Sequence, residues 1–272
     1  MKPPSITSRA NRRKRTWAGR IVALLAFAAC LASASAAPPA QAFTDEALIN
    51  GFMVTVFGAE ASDGQNDATG IVKKFTGPIA YHLVSTASVD HRRTLRQFLQ
   101  QLADTVQNIR FVETRSRQDA QMVIFLVNRA DYAATIRTTV WQGVDTSFLE
   151  ANACSAVIAA RRSGIERANI YLVADEGFVA LAHCMVEEIA QSLGPANDSN
   201  LLPDSIFNDM SELNVFGLFD WYILNMLYDA RIRPGMTARE VRPLLPFVLQ
   251  DVRRMLPHAL EKSRAFAGHA RR

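Results

Sequence analysis

The sequence lacks the features that mark several common classes of protein. It has no internal repeat and no long low-complexity linker, which excludes a solenoid and a string of tethered domains. Its most apolar run, Ile21–Ala36, is too short to span a membrane comfortably. Histidine is scarce, and His82, His91, His258 and His269 show no ligand spacing, so they predict no metal site.

The first 42 residues have the pattern of a secretory signal peptide. Residues 1–20 contain seven basic side chains and no acidic one, and the apolar run follows directly. Small residues offer cleavage points after Ala36 and after Ala42, and we favour Ala42, which leaves Phe43 as the first residue. The protein is therefore expected to be exported, either to the periplasm or out of the cell.

A third processing point precedes Cys30. Phe27-Ala28-Ala29-Cys30 loosely matches a lipobox, although an aliphatic residue usually stands where Phe27 does. Cleavage there would anchor the protein to a membrane through a lipidated Cys30. An incidental cysteine within the signal peptide is the plainer interpretation.

The positive charge of the chain belongs mostly to the signal peptide. The formal net charge is +4, and removal of residues 1–42 leaves −3, because seven basic residues and no acidic residue are lost. Nucleic acid is not an expected partner, since it would need a basic face with interleaved aromatic residues. Basic residues near the C-terminus predict a solvated helix end, with contact to an anionic membrane as the alternative. They are Arg253, Arg254, Lys262, Arg264, Arg271 and Arg272.

Two cysteines remain after export, Cys154 and Cys184. An even pair in an oxidising compartment predicts a disulfide, and two buried thiols are the alternative. A bridge that closes a loop of about 30 residues stabilises the fold by about 3 kcal/mol.

The exported chain is predicted to form one main domain, at 71–245. A turn-rich stretch separates it from a short N-terminal arm at 43–70, and 246–272 are predicted to form an amphipathic helix with a basic tail. Apolar periodicity predicts strands at 79–84, 109–112, 122–127 and 168–173, and helices at about 90–106, 177–193 and 219–227. Further helices are predicted from a capping box at Thr237–Glu240 and beyond Pro246.

The most informative stretch is the motif at 187–198. Its sequence, E-E-x-x-Q-x-x-G-x-x-N-D, resembles the signature H-E-x-x-H-x-x-G-x-x-H-D of the metzincin metalloproteases. Glu187, Gln191 and Asn197 stand where that family has its zinc-binding histidines. Glu187 and Gln191 share one helix face, and Gly194 can end the helix and turn the chain back.

Further features resemble the same family in the same order. Glu188 stands at the position of the catalytic glutamate, and Ser205-Ile206-Phe207 resembles the Met-turn, with Phe207 in place of methionine. The resemblance covers roughly residues 70–230 and implies a metzincin-like α+β fold, a mixed twisted sheet with a long motif helix above a mainly helical C-terminal subdomain. The motif also resembles a bacterial family known as domain of unknown function 2927, which supplies no activity.

The replaced ligands predict little metal chemistry. A carboxylate and two amide oxygens form a hard donor set, better matched to calcium, magnesium or manganese than to zinc, and amide oxygens bind weakly. We therefore expect no zinc cofactor, with weak binding of a hard metal by Glu187, Gln191 and Asn197 as the alternative. A hydrogen-bond network among these side chains is the interpretation we favour. His183, one turn earlier on the same face, is interpreted as structural.

Two functions are compatible with this motif. The first is a pseudo-metalloprotease that binds a peptide or an envelope protein in the cleft between sheet edge and helix, without cleaving it. The second is a hydrolase in which Glu188 acts as general base while Glu187, Gln191 and Asn197 hold a non-zinc metal or a polar substrate.

Overall fold

The computed structural model describes residues 43–58, 70–208, 210 and 213–269, with side chains described as far as Ser263. The predicted signal peptide, the Cys30 lipobox and the end of the basic tail lie outside the described residues. The described part combines one sheet with packed helices, so the α+β class predicted from the sequence is confirmed.

A mixed sheet of five strands organises the fold. The strands are β1 (Ile79–Ser85), β2 (Phe111–Glu113), β3 (Met122–Val127), β4 (Cys154–Arg161) and β5 (Gly164–Val173). Their order is β2-β1-β3-β5-β4, with β4 alone antiparallel to its neighbour. β3 is buried along its whole length, because both faces of the sheet are covered.

Eight α-helices are described around the sheet. They are α1 (Asp45–Phe57), α2 (Arg92–Thr105), α3 (Arg129–Thr139), α4 (Ser147–Ala151), α5 (Phe178–Ser192), α6 (Leu218–Leu227), α7 (Ala238–Val241) and α8 (Leu245–His269). The capping box predicted at the start of α7 is present, with Thr237 and Glu240 bonded reciprocally. Among the described residues, we find no helix with the length and apolarity that a membrane crossing requires.

The sheet separates two cores, because alternate residues of β3 point to opposite faces. Ile124 belongs to the larger core, to which α1, α2, α5, α6 and α8 contribute. Phe125 belongs to the smaller core with Tyr132 and Ile136 of α3, and its ring stacks on Tyr171 with centroids 5.0 Å apart. The larger core therefore lies on the face that carries the motif helix α5.

The described part of the predicted N-terminal arm, residues 43–58, packs into this larger core. Leu48 and Phe52 of α1 are fully buried. Arg253 of α8 donates to a carboxylate oxygen of Asp45 at 2.6 Å and to the carbonyl oxygen of Phe43 at 2.8 Å. Only 15% of the Arg253 side chain is exposed, so this residue ties α8 to α1 and is not part of a solvated helix end.

The predicted disulfide between Cys154 and Cys184 is present, with the two Cα atoms 5.7 Å apart. It joins the first residue of β4 to the second turn of α5. The pairing fixes the start of the edge strand beside the motif helix.

Candidate functional site

β4 and α5 run side by side and are held together at both ends of the motif. The disulfide joins them at one end. At the other end, Gly194 and Gly164 both lie against the backbone of Lys73 and Lys74: a Cβ added at Gly194 would overlap the carbonyl oxygen of Lys73, and one added at Gly164 would lie 2.6 Å from that of Lys74. The end of α5 and the β4–β5 turn therefore contact one strip of backbone.

Tyr228 strengthens the second attachment. Its hydroxyl donates to the carbonyl oxygen of Leu193 at 2.9 Å, at the C-terminus of α5, and it accepts from the N–H of Phe75 at 3.4 Å. Complete burial raises the pKa of Tyr228 far above its ordinary value, so the hydroxyl remains a donor. The C-terminus of the motif helix is thereby fixed.

One edge of β4 is unpaired within the described ranges, and a further strand could join it there. Ala168 donates to the carbonyl oxygen of Gln121, just before β3, and Ala174 donates to that of Val127 in β3. The odd-numbered residues of β5 therefore turn their peptide groups towards β4. Asn169 pairs with Val157 in this register, and the peptide groups of the neighbouring residues, Ala156 and Ile158, therefore point away from β5. Within the part of the chain that the structure describes, β4 pairs with β5 alone.

Glu187 interacts with the preceding turn of α5. His183 Nε2 lies 3.2 Å from a carboxylate oxygen of Glu187, and His183 Nδ1 lies 2.7 Å from the carbonyl oxygen of Leu213. A carbonyl oxygen only accepts, so Nδ1 is the donor in the contact with Leu213. About a quarter of the Glu187 side chain is exposed. His183 thus links α5 to the segment before α6.

The other two ligand positions have partners in different parts of the fold. Gln191 Nε2 donates to Asp198 Oδ2 at 2.8 Å, which ties α5 to the loop after Gly194. Asn197 Nδ2 donates to the carbonyl oxygen of Thr55 at 2.8 Å, which ties the same loop to α1. The network proposed from the sequence therefore differs in its partners, because Asp198 and Thr55 take part.

Glu188 is buried, whereas Glu187 is partly exposed. Burial, and to a lesser degree the charge of Glu188, raise the pKa of Tyr132 to about 12. The hydroxyl of Tyr132 lies 2.8 Å from that of Ser155 in β4. The carboxylate of Glu188 is therefore within electrostatic reach of the start of β4.

A buried aspartate holds the loop that resembles a Met-turn. Asp220 accepts from the Ser205 hydroxyl at 2.6 Å, from the Ile206 N–H at 3.2 Å and from the Gly217 N–H at 2.8 Å. Burial raises the pKa of Asp220 to about 6 in spite of these bonds. Phe207 is fully buried in the larger core, where the sequence resemblance places a methionine.

The residues at the ligand positions do not fit zinc. The amide nitrogens of Gln191 and Asn197 are bonded to protein acceptors, and Glu187 is paired with His183. The two amides could offer a metal only oxygen ligands, whereas zinc prefers imidazole and thiolate. No group of three or more His, Cys, Asp or Glu side chains that could hold a metal ion occurs in the described ranges.

Comparison with known proteins identifies the family of this chain. The family described as protein of unknown function (DUF2927) matches residues 45–247. The chain belongs to the DUF2927 family. No curated protein and no solved structure matches the chain.

The range matched to DUF2927 begins with α1 and ends at the start of α8. It includes the Thr55 carbonyl that binds Asn197, as well as the whole of β4 and α5. Sequence reasoning missed β4 and Thr55 as parts of this site, and it interpreted Asp198 as a residue of a polar loop. Only Asp198 carried a signal, since it directly follows Asn197 at the end of the motif.

Proposed function

We propose that this chain is a metzincin-like binding protein of the cell envelope, which holds an extended peptide segment of a partner along β4 and does not cleave it. Its predicted signal peptide would deliver it to that compartment. The observation that carries the proposal is the outer edge of β4, which is unpaired among the described residues and belongs to a strand attached to the motif helix at both ends. The experiment that tests it measures peptide binding with that edge open or blocked.

The two edges of the sheet differ in a way that favours this role. Exposed sheet edges recruit foreign strands, and proteins protect them by keeping edge strands short or charged. β2 has three residues, and the carboxylate of Glu113 forms an ion pair with Arg96 at 2.7 Å. β4 has eight residues, from Cys154 to Arg161, and its only charge is at the last position. β4 is thus the unprotected edge, apart from a bulge at Ala159 and Ala160.

The metzincin-like assignment is supported by element order and by the turn after the helix. A strand, a helix and further strands precede the motif helix, which lies under the sheet, and Gly194 then turns the chain at φ +133°. A protease of that kind lays its substrate beside the edge strand, above the helix. The binding role without cleavage is supported by the donor set, which offers zinc no imidazole at the three ligand positions.

The test uses a fluorescent peptide library and a variant blocked at the free edge. Ala156→Pro removes an N–H that faces the free edge and leaves the bonds to β5. The matched control, Glu113→Pro, lies on the short edge strand β2. Arg110 and Thr114 bond to β1, so the N–H of Glu113 faces the outer edge of β2. We expect Ala156→Pro to abolish the peptide binding of the wild type, while the folded control retains it. Equal binding by wild type and Ala156→Pro would contradict the proposal.

A second function rests on the burial of Glu188. Burial of an ionisable carboxyl is costly, and a buried carboxyl can act as general base. In that case Glu187, Gln191 and Asn197 would hold a polar substrate or a hard metal. Any hydrolysis found with a peptide or ester panel should be lost in Glu188→Gln. Activity retained in that variant would exclude Glu188 as the base.

A further inference from the structure

The two ends of β4 differ in charge, and this difference bears on the partner. Beyond Arg161, the β4–β5 turn and the loop after α6 form the walls of a pocket of about 300 Å³ that is open to solvent. Close backbone contact shapes it, since a Cβ added at Gly235 would lie 2.6 Å from the carbonyl oxygen of Arg162. The pocket is lined by Arg162, Arg233, Pro234, Gly235, Met236 and Glu240.

Positive charge is in excess in this pocket. Glu240 is occupied by the N–H and hydroxyl of Thr237, both at 2.8 Å, and these bonds, with smaller contributions from Arg162 and Arg239, hold its pKa below the usual range. Among the described residues, Arg162 and Arg233 take part in none of the ion pairs, whereas Arg161 is paired with Glu166. Two guanidinium groups are therefore available to a partner at this end of β4.

The opposite end of β4 carries exposed apolar side chains. Arg129 donates to the carbonyl oxygen of Asn152 at 3.0 Å and pairs with Glu176 at 2.8 Å, which brings the start of β4 next to the start of α5. Three large apolar side chains are exposed on the helices at this end. They are Phe148 at 74%, Phe178 at 56% and Val179 at 66%.

We infer that the partner of β4 is an extended peptide segment with acidic residues at its N-terminal end and apolar residues at its C-terminal end. Antiparallel pairing is the more stable arrangement per residue, and it places the N-terminus of the added strand beside Arg162 and Arg233. A strand that matches the eight residues of β4 is about 27 Å long, which separates the two ends clearly. This inference rests on the proposed peptide-binding function and specifies its ligand class.

The test uses three fluorescein-labelled probes and the full exported chain. The first probe has three glutamates followed by alternating threonine and valine, the second has glutamine in place of glutamate, and the third has the first sequence reversed. The protein variants are Arg162→Gln with Arg233→Gln and, as a matched control, Arg110→Gln with Arg115→Gln, which flank β2 on the opposite edge. Fluorescence anisotropy gives the dissociation constant of each pair.

We expect the wild type and the control to bind the first probe about fivefold to tenfold more tightly than the second, as two exposed ion pairs would give. Salt should reduce that ratio, and Arg162→Gln with Arg233→Gln should remove it. Equal affinity for glutamate and glutamine probes would overturn the inference while leaving peptide binding intact. Equal affinity for the reversed probe would overturn the orientation.

Two other outcomes would also be decisive. Failure of the wild type to bind any of these probes or any library peptide would overturn the proposed function itself. Sedimentation velocity measures whether the protein forms a dimer. A dimer that is lost in Ala156→Pro, and that the first probe does not dissociate, would identify a second copy of the chain as the occupant of β4. That result would overturn the inferred acidic partner.

Discussion

Gly194 offers the sharpest test of how the motif helix is fixed beneath β4. Its φ is +133°, and a Cβ would overlap the carbonyl oxygen of Lys73 and lie 3.0 Å from a methyl group of Leu227. Gly177, at the other end of α5, has φ +102°, and no atom of the described residues lies within 4 Å of an added Cβ. Gly194→Ala and Gly177→Ala therefore share the backbone strain, and they differ in the steric overlap.

The structure sets the expected magnitudes. A non-glycine residue at such a φ costs about 1–3 kcal/mol, which applies to both variants. Overlap with packed neighbours costs a further ~1–3 kcal/mol, and the overlapping atom in Gly194→Ala belongs to the backbone, which cannot rotate away as a side chain can. We therefore expect the free energy of unfolding of Gly194→Ala to be lower than that of Gly177→Ala by about 1–3 kcal/mol.

Urea denaturation followed by circular dichroism measures both free energies, and the buried Trp221 provides a fluorescence signal for comparison. Equal losses in the two variants would refute the argument, because the contact between Gly194 and Lys73 would then contribute nothing. A larger loss of unfolding free energy in Gly177→Ala than in Gly194→Ala would refute the argument as well, since no described atom contacts the added Cβ of Gly177→Ala.

Three further predictions concern the rest of the site. The pKa of Asp220 is raised to about 6, so the folded state binds a proton that the unfolded carboxyl has already released, and the free energy of unfolding should fall by up to about 3 kcal/mol as the pH rises from about 4 to about 6. Asp220→Asn should remove this slope in urea titrations, and equal slopes in both proteins would contradict the assignment. Replacement of Cys154 and Cys184 by alanine should lower the free energy of unfolding by about 3 kcal/mol, and an unchanged urea midpoint would show that the bridge contributes nothing to stability. After dialysis against zinc, elemental mass spectrometry should find no stoichiometric zinc, because the ligand positions offer amides and a paired carboxylate; one zinc per chain that is lost in Gln191→Ala would contradict this.

The sequence predicted those elements whose local pattern agrees with their tertiary environment. β3 is a continuous apolar run because it is covered on both faces, and α5 has apolar residues at helical spacing because one face is buried. β4 was missed because three of the five residues from Ala156 to Ala160 are alanine, which is depleted in strands, and pairing with β5 makes it a strand. α3 was missed because only Tyr132 and Ile136 are buried, too few to give a periodic signal.

The partners of the motif residues could not be predicted in the same way. The contact between His183 and Glu187 follows from their spacing of four residues on one helix. The bond from Asn197 to Thr55 joins positions 142 residues apart, so it depends on how α1 packs, which no local pattern specifies. The spacing of the motif therefore selected the candidate residues, and tertiary packing determined their bonds.

These bonds give the proposed cleft beside β4 a way to keep its shape without a metal at the motif. In a zinc protease the metal links the helix to the loop that follows it. Here Gln191 links α5 to Asp198, Asn197 links the loop to Thr55, and the disulfide fixes the other end of the helix. If these links replace the metal, a chelator should leave the urea midpoint unchanged, whereas a reductant should lower it. A midpoint lowered by the chelator alone, and restored by one added divalent ion, would show that a metal still holds the cleft and would contradict this account.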